Sequence, residues 1–152
     1  MPEPEQAPRP YVQVAAICQV PPLQEKNGQV SLIRLMDRMP VMGTTDDMRP
    51  QPLHNLILVV ILKSGAMRGQ YHMRIVPVTP SGKRLPGPEL SVLFEGDERG
   101  VAAVLPLAIV AEEPGLFWFD VMIEQDLLTR IPLRVMYQKI QQGTPFPQPP
   151  PG

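Results

Sequence analysis

Short apolar segments, each ended by Gly, Pro, Asn or Asp, recur along most of this chain. Within them apolar and polar side chains often alternate, and no apolar stripe with a period of 3.6 residues extends beyond two turns. Alternation with a period of two is typical of β-strands that bury one face. The pattern therefore predicts an all-β protein, an antiparallel two-sheet sandwich of about eight strands.

The predicted strands are separated by recognisable turn signals. Asn27-Gly28 is the strongest hairpin signal, and residues 64–70 and 96–100 are expected to be loops. The apolar run 56–62 is too short to span a bilayer and predicts a central strand buried on both faces. The eight strands are expected over residues 11–19, 29–36, 56–63, 71–79, 90–95, 101–110, 116–124 and 127–137.

Residues 37–55 form the longest interruption between predicted strands. This segment is polar and contains three prolines, with Val41-Met42 as a candidate short edge strand. Connections of this length are uncommon unless they are functional or mobile. We therefore expect an irregular loop that contributes to a binding surface.

Proline divides the chain into a domain and two tails. Many of the 21 prolines lie in the first ten residues and in the last nine. We expect disordered proline-rich tails at residues 1–10 and 139–152, and one β-sandwich domain at residues 11–138. Residues 147–150 have the P-x-x-P form of polyproline ligands, which such tails also produce without binding anything.

Charge argues against several classes of partner. The formal net charge is −1, from 14 basic and 15 acidic residues that are interspersed. Nucleic-acid-binding proteins usually carry a basic face, so a nucleic-acid partner is disfavoured. The N-terminus is acidic and rich in proline, unlike a signal or transit peptide, and a membrane partner is not expected. The sequence predicts a soluble cytoplasmic protein.

Catalytic residues are scarce. His54 and His72 are the two histidines, and neither lies in a diagnostic motif. The nucleophile elbow, the phosphate-binding glycine loops and H-E-x-x-H are missing, so no enzyme and no cofactor are predicted. Cys18 is the single cysteine, and its place in the alternation predicts a small buried apolar side chain.

Methionine and tryptophan provide the candidate partner-binding residues. Met36, Met39, Met42 and Met48 cluster around the 37–55 segment, and flexible thioether side chains can form an adaptable binding surface. Filling of the core is the alternative role for them. Trp118 lies between Phe117 and Phe119, so it faces the opposite side of its strand and either packs there or is exposed for binding.

Carboxylates could gather at one end of a sandwich to bind calcium, which prefers six to eight oxygen ligands. The hairpin count divides them, with Asp46-Asp47 and Glu112-Glu113 at one end and Asp97-Glu98 at the other. Basic residues lie within both groups. A solvated charged rim is therefore favoured over a calcium site, and no metal ligands are predicted.

Three segments resemble a known family. They are Gly28 with Ser31-Leu32-Ile33, residues 115–121, and Leu128 with Pro132-Leu133 and Val135. In these motifs the chain is similar to an uncharacterised bacterial family of immunoglobulin-like or C2-like β-sandwich proteins of unknown function. The resemblance implies the sandwich fold and carries over no established activity.

These observations favour a non-enzymatic protein-interaction or structural module, with another protein or a second copy as partner. The alternative is a module that binds a small ligand, a carbohydrate or calcium at one loop end of the sandwich. An exposed methionine patch would favour the first function, and stabilisation by calcium would favour the second.

Overall fold

The computed structural model describes residues 8–141, and this part of the chain forms nine β-strands and no helix. None of these residues therefore belongs to a helix that could cross a membrane. The all-β prediction is confirmed. The strands are β1 (Tyr11–Cys18), β2 (Leu23–Gln24), β3 (Val30–Ser31), β4 (Leu35–Met36), β5 (Arg38–Gly43), β6 (Gln51–Val78), β7 (Glu89–Ala111), β8 (Gly115–Ile123) and β9 (Asp126–Lys139).

Seven of the strands form one continuous mixed sheet. Its order is β4-β1-β6-β8-β9-β5, and β7 pairs with β6 beside this path. The pairing of β5 with β9 is parallel, and β2 and β3 form a separate hairpin. The sheet curls until it is nearly closed, so one curved wall surrounds the core where two separate sheets were predicted.

The long strand β6 must bend to stay within a domain of this size. Its 28 residues would extend about 90 Å if straight, whereas a domain of this length has a radius of gyration of about 15 Å. The bend lies at two irregularities in the pairing with β7, between Lys63 and Gly65 and between Gly65 and Arg68. Bulges of this kind bend a strand pair without ending it.

Residues 64–70 and 96–100 are consequently not loops, and that prediction is wrong. They face each other in the bend, inside β6 and β7. The buried Ser64 hydroxyl donates a hydrogen bond of 2.6 Å to the Arg99 carbonyl oxygen and joins the two strands there. Glycine and aspartate in left-handed conformations, Gly65 with φ 59° and Asp97 with φ 55°, produce the bend.

Two halves of the curved sheet share one core. Before the bend, β6 lies between β1 and β7, and the predicted central strand at residues 56–62 is confirmed. After the bend, β6 lies between β7 and β8. The inner faces of both halves contribute large fully buried side chains, among them Leu56, Leu58, Leu62, Met73, Ile75, Phe94, Phe117, Phe119 and Leu133.

The second predicted strand, residues 29–36, is two short strands instead of one. The Asn27-Gly28 turn forms, and it joins β2 to β3 in a small hairpin. Residues 32–34 leave the extended conformation, Arg34 having φ 57°, and β4 then pairs with the end of β1. The prediction failed because a residue with positive φ interrupts an otherwise β-prone segment.

The 37–55 segment is mostly strand, contrary to the predicted irregular loop. Strand β5 occupies residues 38–43 at one end of the sheet order, which confirms the candidate edge strand at Val41-Met42, and β6 begins at residue 51. The Tyr137 hydroxyl donates a 2.5 Å hydrogen bond to the Thr45 carbonyl oxygen, and Lys139 pairs with Asp46. The remaining connection, residues 44–50, is therefore held against β9.

The predicted tails fall largely on residues 1–7 and 142–152, which lie outside the described residues, as does the P-x-x-P segment. The first described residues pack on the domain. Pro10 is buried, and the Arg9 guanidinium donates a hydrogen bond to the Leu127 carbonyl oxygen.

Candidate interaction surface

Strand β7 has one unpaired edge. Among residues 8–141 its ladder partner is β6 alone, so no strand lies beside the other edge of its 23 residues. Natural proteins usually protect such edges with charges, prolines, bulges or short strands, because an open edge pairs with other chains. The way β7 is protected differs between its two parts.

The first part, residues 89–99, carries charge at Glu89, Glu95, Asp97, Glu98 and Arg99, and we name it the charged stretch. The second part, residues 100–111, contains no charged residue and we name it the apolar stretch. Charge thus protects the edge up to the bend and is missing beyond it.

The apolar stretch is apolar on both of its faces. Its inner side chains, Ala103, Leu107, Ile109 and Ala111, are buried in the core. A solvent-facing row normally alternates with such residues as a polar row. Here the alternate positions are apolar and exposed, and we name them the outer row: Ala102, Val104, Pro106, Ala108 and Val110.

Much of the outer row is open to solvent. Val104 is 41% exposed and Val110 is 54% exposed. Val104 lies in register with Val59 on β6, which is 1% exposed, and Val59 lies in register with Ala16 on β1. On this outer face of the sheet, side chains are therefore buried on β6 and exposed on the neighbouring β7.

The β2–β3 hairpin stands over the covered part of this face. Its residues line a groove of about 610 Å³ together with Val14, Ile61 and Ala102. The Gln19 amide donates a hydrogen bond to the Arg34 carbonyl oxygen, so the chain returns beside β1 after the hairpin. Because this cover reaches only the near end of the outer row, β7 remains exposed from Val104 onward.

Pro106 indicates how the backbone of β7 is oriented. Proline has no N–H, and within a ladder it is accommodated where its nitrogen faces an unpaired edge. Alternate residues of a strand direct their N–H groups to the same side. We therefore infer that Ala102, Val104 and Ala108 direct their N–H groups toward the free edge and that Pro106 removes one donor from it.

Cys18 lies on the same outer face, at the end of β1 that pairs with β4. Its side chain is fully buried, as the sequence predicted, and it stands opposite Ile57 of β6. Burial removes the thiolate from water and raises the pKa of the thiol. The cysteine therefore contributes packing, and its position does not support a reactive thiol.

The four candidate methionines do not form one exposed patch. Met48 is buried in the core, and Met36 and Met39 are half-buried and pack against it. Met42 is 55% exposed on β5. Three of the four thus contribute to packing, and their placement leaves Met42 as a candidate contact residue.

Trp118 is half-buried on the outer face of β8, while Phe117 and Phe119 are fully buried inside, as the alternation predicted. The Arg130 guanidinium lies over the indole ring, 4.7 Å from its centroid. The same guanidinium donates a 2.7 Å hydrogen bond to the Asp120 carboxylate, which is largely buried. Trp118 is therefore occupied by an intramolecular contact.

The remaining titratable residues are dispersed. His54 is exposed, and His72 is exposed with its Nε2 3.4 Å from a Glu89 carboxylate oxygen. Within residues 8–141 no group of three or more His, Cys, Asp or Glu side chains is placed to hold a metal ion. The geometry of these residues offers no argument for chemistry at either histidine.

The outer row is not among the residues predicted from the sequence, although a signal for it is present. Residues 101–110 are apolar at nearly every position, which is typical of a strand buried on both faces. The structure places this run at an edge, where one face lacks a cover.

No protein-family model and no curated protein matches this chain.

Proposed function

We propose that this chain is a non-enzymatic protein-interaction module and that the apolar stretch of β7 is its contact surface. The observation that carries the proposal is that residues 100–111 combine an exposed apolar row with a strand edge that no other residue between 8 and 141 pairs with. An added strand would gain main-chain hydrogen bonds from the edge and specificity from the side chains.

The rest of the described surface supports the same choice. The charged stretch continues the same edge, but its carboxylates disfavour a neighbouring strand. Met42 and Trp118, the more accessible of the predicted contact residues, lie on β5 and β8. They belong to the other half of the curved sheet and do not adjoin the outer row.

An immunoglobulin-like or C2-like class is part of this proposal. Modules of such all-β architecture commonly present loops or strand edges to partners on a rigid framework. The all-β core supports the idea, and the bent β6–β7 hairpin distinguishes this chain from a simple pair of sheets.

Site-specific photo-cross-linking tests the proposal. A photoreactive phenylalanine analogue is placed at Val104 and, as the matched control, at Leu93, which is 50% exposed on the charged stretch of the same strand. In cells that naturally express the chain, we expect a discrete adduct from position 104 and none from position 93. Absence of an adduct at position 104, or equal adducts at both positions, contradicts the proposal.

A small-ligand module is the second candidate, and the groove beneath the hairpin favours it. The groove has an apolar floor at Ile61 and Ala102, with Lys63 and Gln13 among its polar lining residues. An amphiphilic carboxylate would match this combination of surfaces. Octanoate should then raise the Tm of the wild type more than that of Lys63→Gln; an equal shift, or none, contradicts this candidate.

A further inference from the structure

We propose that the partner of the apolar stretch is a second copy of this chain, which pairs its own β7 edge antiparallel to the first and forms a two-fold dimer. This inference rests on the proposed function, because it names the partner of the same surface. Two-fold dimers are the commonest homo-oligomers, and in them a single patch meets itself.

Charge determines which part of β7 can meet itself. Around a two-fold axis an antiparallel strand faces its own sequence in reverse. The apolar stretch then contacts uncharged residues only, whereas the charged stretch would bring Glu95, Asp97 and Glu98 against the same carboxylates of the second copy. Self-pairing is therefore compatible with residues 100–111 and opposed at residues 89–99.

The proline and the flanking charges locate the axis. An axis at Pro106 would set two prolines opposite each other at the centre, where neither has a donor. An axis at Ala102 would set Glu98 opposite Pro106 of the second copy. An axis at Val104 or Leu105 avoids both arrangements, because residues 100–108 then meet uncharged residues throughout.

The length of the pairing is sufficient for a stable ladder. Nine residues exceed the usual strand of about five or six, and Pro106 removes one donor from each copy. In this arrangement Val104 and its equivalent lie at or beside the axis, where like charges would be close together. The outer row of the two copies becomes one continuous apolar band across the joined sheets.

Sedimentation equilibrium of the purified full chain tests the dimer. We expect the wild type to be dimeric at about 100 µM, a hundredfold above a micromolar dissociation constant. Val104→Lys and Val104→Glu should each be monomeric, because each puts two like charges at the axis. An equimolar mixture of the two variants should dimerise again. Leu93→Lys, the matched control, should remain dimeric.

Each contrary outcome has a definite meaning. A monomeric wild type, a dimer that Val104→Lys does not weaken, or a mixture that stays monomeric overturns the second-copy inference. If both Val104 variants fail to fold, the dimer dissociation constant of the Pro106→Ala variant tests the inference instead. The restored donor should tighten the dimer about fivefold or more, and an unchanged dissociation constant overturns the inference.

The same measurement distinguishes the two proposals. A monomeric wild type together with a cross-link from position 104 to a different protein means that the surface binds a partner other than a second copy. A monomeric wild type without any adduct at position 104 means that both the second-copy inference and the proposed function fail.

Discussion

At the scale of single residues, alternation along the strands determines most of the described interior. Phe117 and Phe119 enter the core because their positions share a parity, and Trp118 faces outward for the same reason. The outward face of β8 nevertheless carries a largely buried carboxylate, that of Asp120. A buried charge is costly unless it is paired, and the Arg130 guanidinium is the partner of this one.

Arg130→Ala should therefore destabilise the fold. The substitution leaves the Asp120 carboxylate without its charged partner and removes the contact with Trp118, so we expect the free energy of unfolding to fall by about 2 kcal/mol. The matched control is Arg134→Ala on the same strand and face, where the side chain is exposed and a change within about 0.5 kcal/mol is expected. Urea denaturation measures both, and equal effects would contradict the assigned role of Arg130.

The buried thiol of Cys18 predicts a pH dependence. Burial raises the pKa of the thiol in the folded state, so an unfolded thiol loses its proton first as the pH rises. The buried neutral thiol therefore makes its full contribution to stability below the unfolded pKa of about 8.5. This contribution is lost progressively as the pH rises above that value. The stability difference between wild type and Cys18→Ala should hence decrease between about pH 7 and about pH 10. A constant difference would argue against a buried thiol.

Sequence alone predicted faces better than it predicted connections. The parity of the Phe117–Phe119 segment was sufficient to place its side chains, whereas Cys18 is buried on the outer face although the neighbouring Ile17 is the residue that enters the core. Gly65 and Gly69 were interpreted as loop residues, since glycine usually interrupts a strand. In the structure this part of β6 faces the positive-φ residue Asp97 on β7, so the ladder bends and continues. Whether an apolar strand lies at the centre or at an edge depends on long-range pairing, which local periodicity does not encode.

At the scale of elements, the bent β6–β7 pair organises the molecule. One strand pair spans both halves of the sheet, so β1 and β8 attach to different parts of the same β6. The conformation of the bend therefore controls how the two halves enclose the common core.

Gly65→Ala should perturb this bend. Gly65 has φ 59°, and an added Cβ would lie 2.6 Å from a ring carbon of Tyr11. We expect a loss of about 1–3 kcal/mol in the free energy of unfolding, from the left-handed backbone and the contact together. Tyr11→Ala alone should have a small effect because Tyr11 is 68% exposed. The double variant should recover part of the loss, and strictly additive effects would contradict the steric explanation.

At the scale of the whole molecule, residues 8–141 curl into a nearly closed sheet, and the outer edge of β7 is its longest edge without a ladder partner. The curved sheet encloses a single core with its inner face, and the β2–β3 hairpin covers part of its outer face. Among the described residues nothing pairs with the outer edge of the apolar stretch, and its solvent face is apolar. A surface of this kind is complete only when another strand lies against it.

Amide hydrogen exchange along β7 measures whether another strand lies against the apolar stretch. The inferred edge-facing amides are Ala102, Val104 and Ala108 in the apolar stretch. Pro88 accepts a hydrogen bond from Ile75, so in the charged stretch Ser91 and Leu93 face the free edge.

If another strand covers the apolar stretch, the amides of residues 102, 104 and 108 should exchange slowly in the wild type. The amides at the same three positions should exchange rapidly in the Val104→Lys variant. Ser91 and Leu93 should exchange rapidly in both proteins. Rapid exchange at Ala102, Val104 and Ala108 in the wild type at about 100 µM, well above a micromolar dissociation constant, would contradict the covered edge.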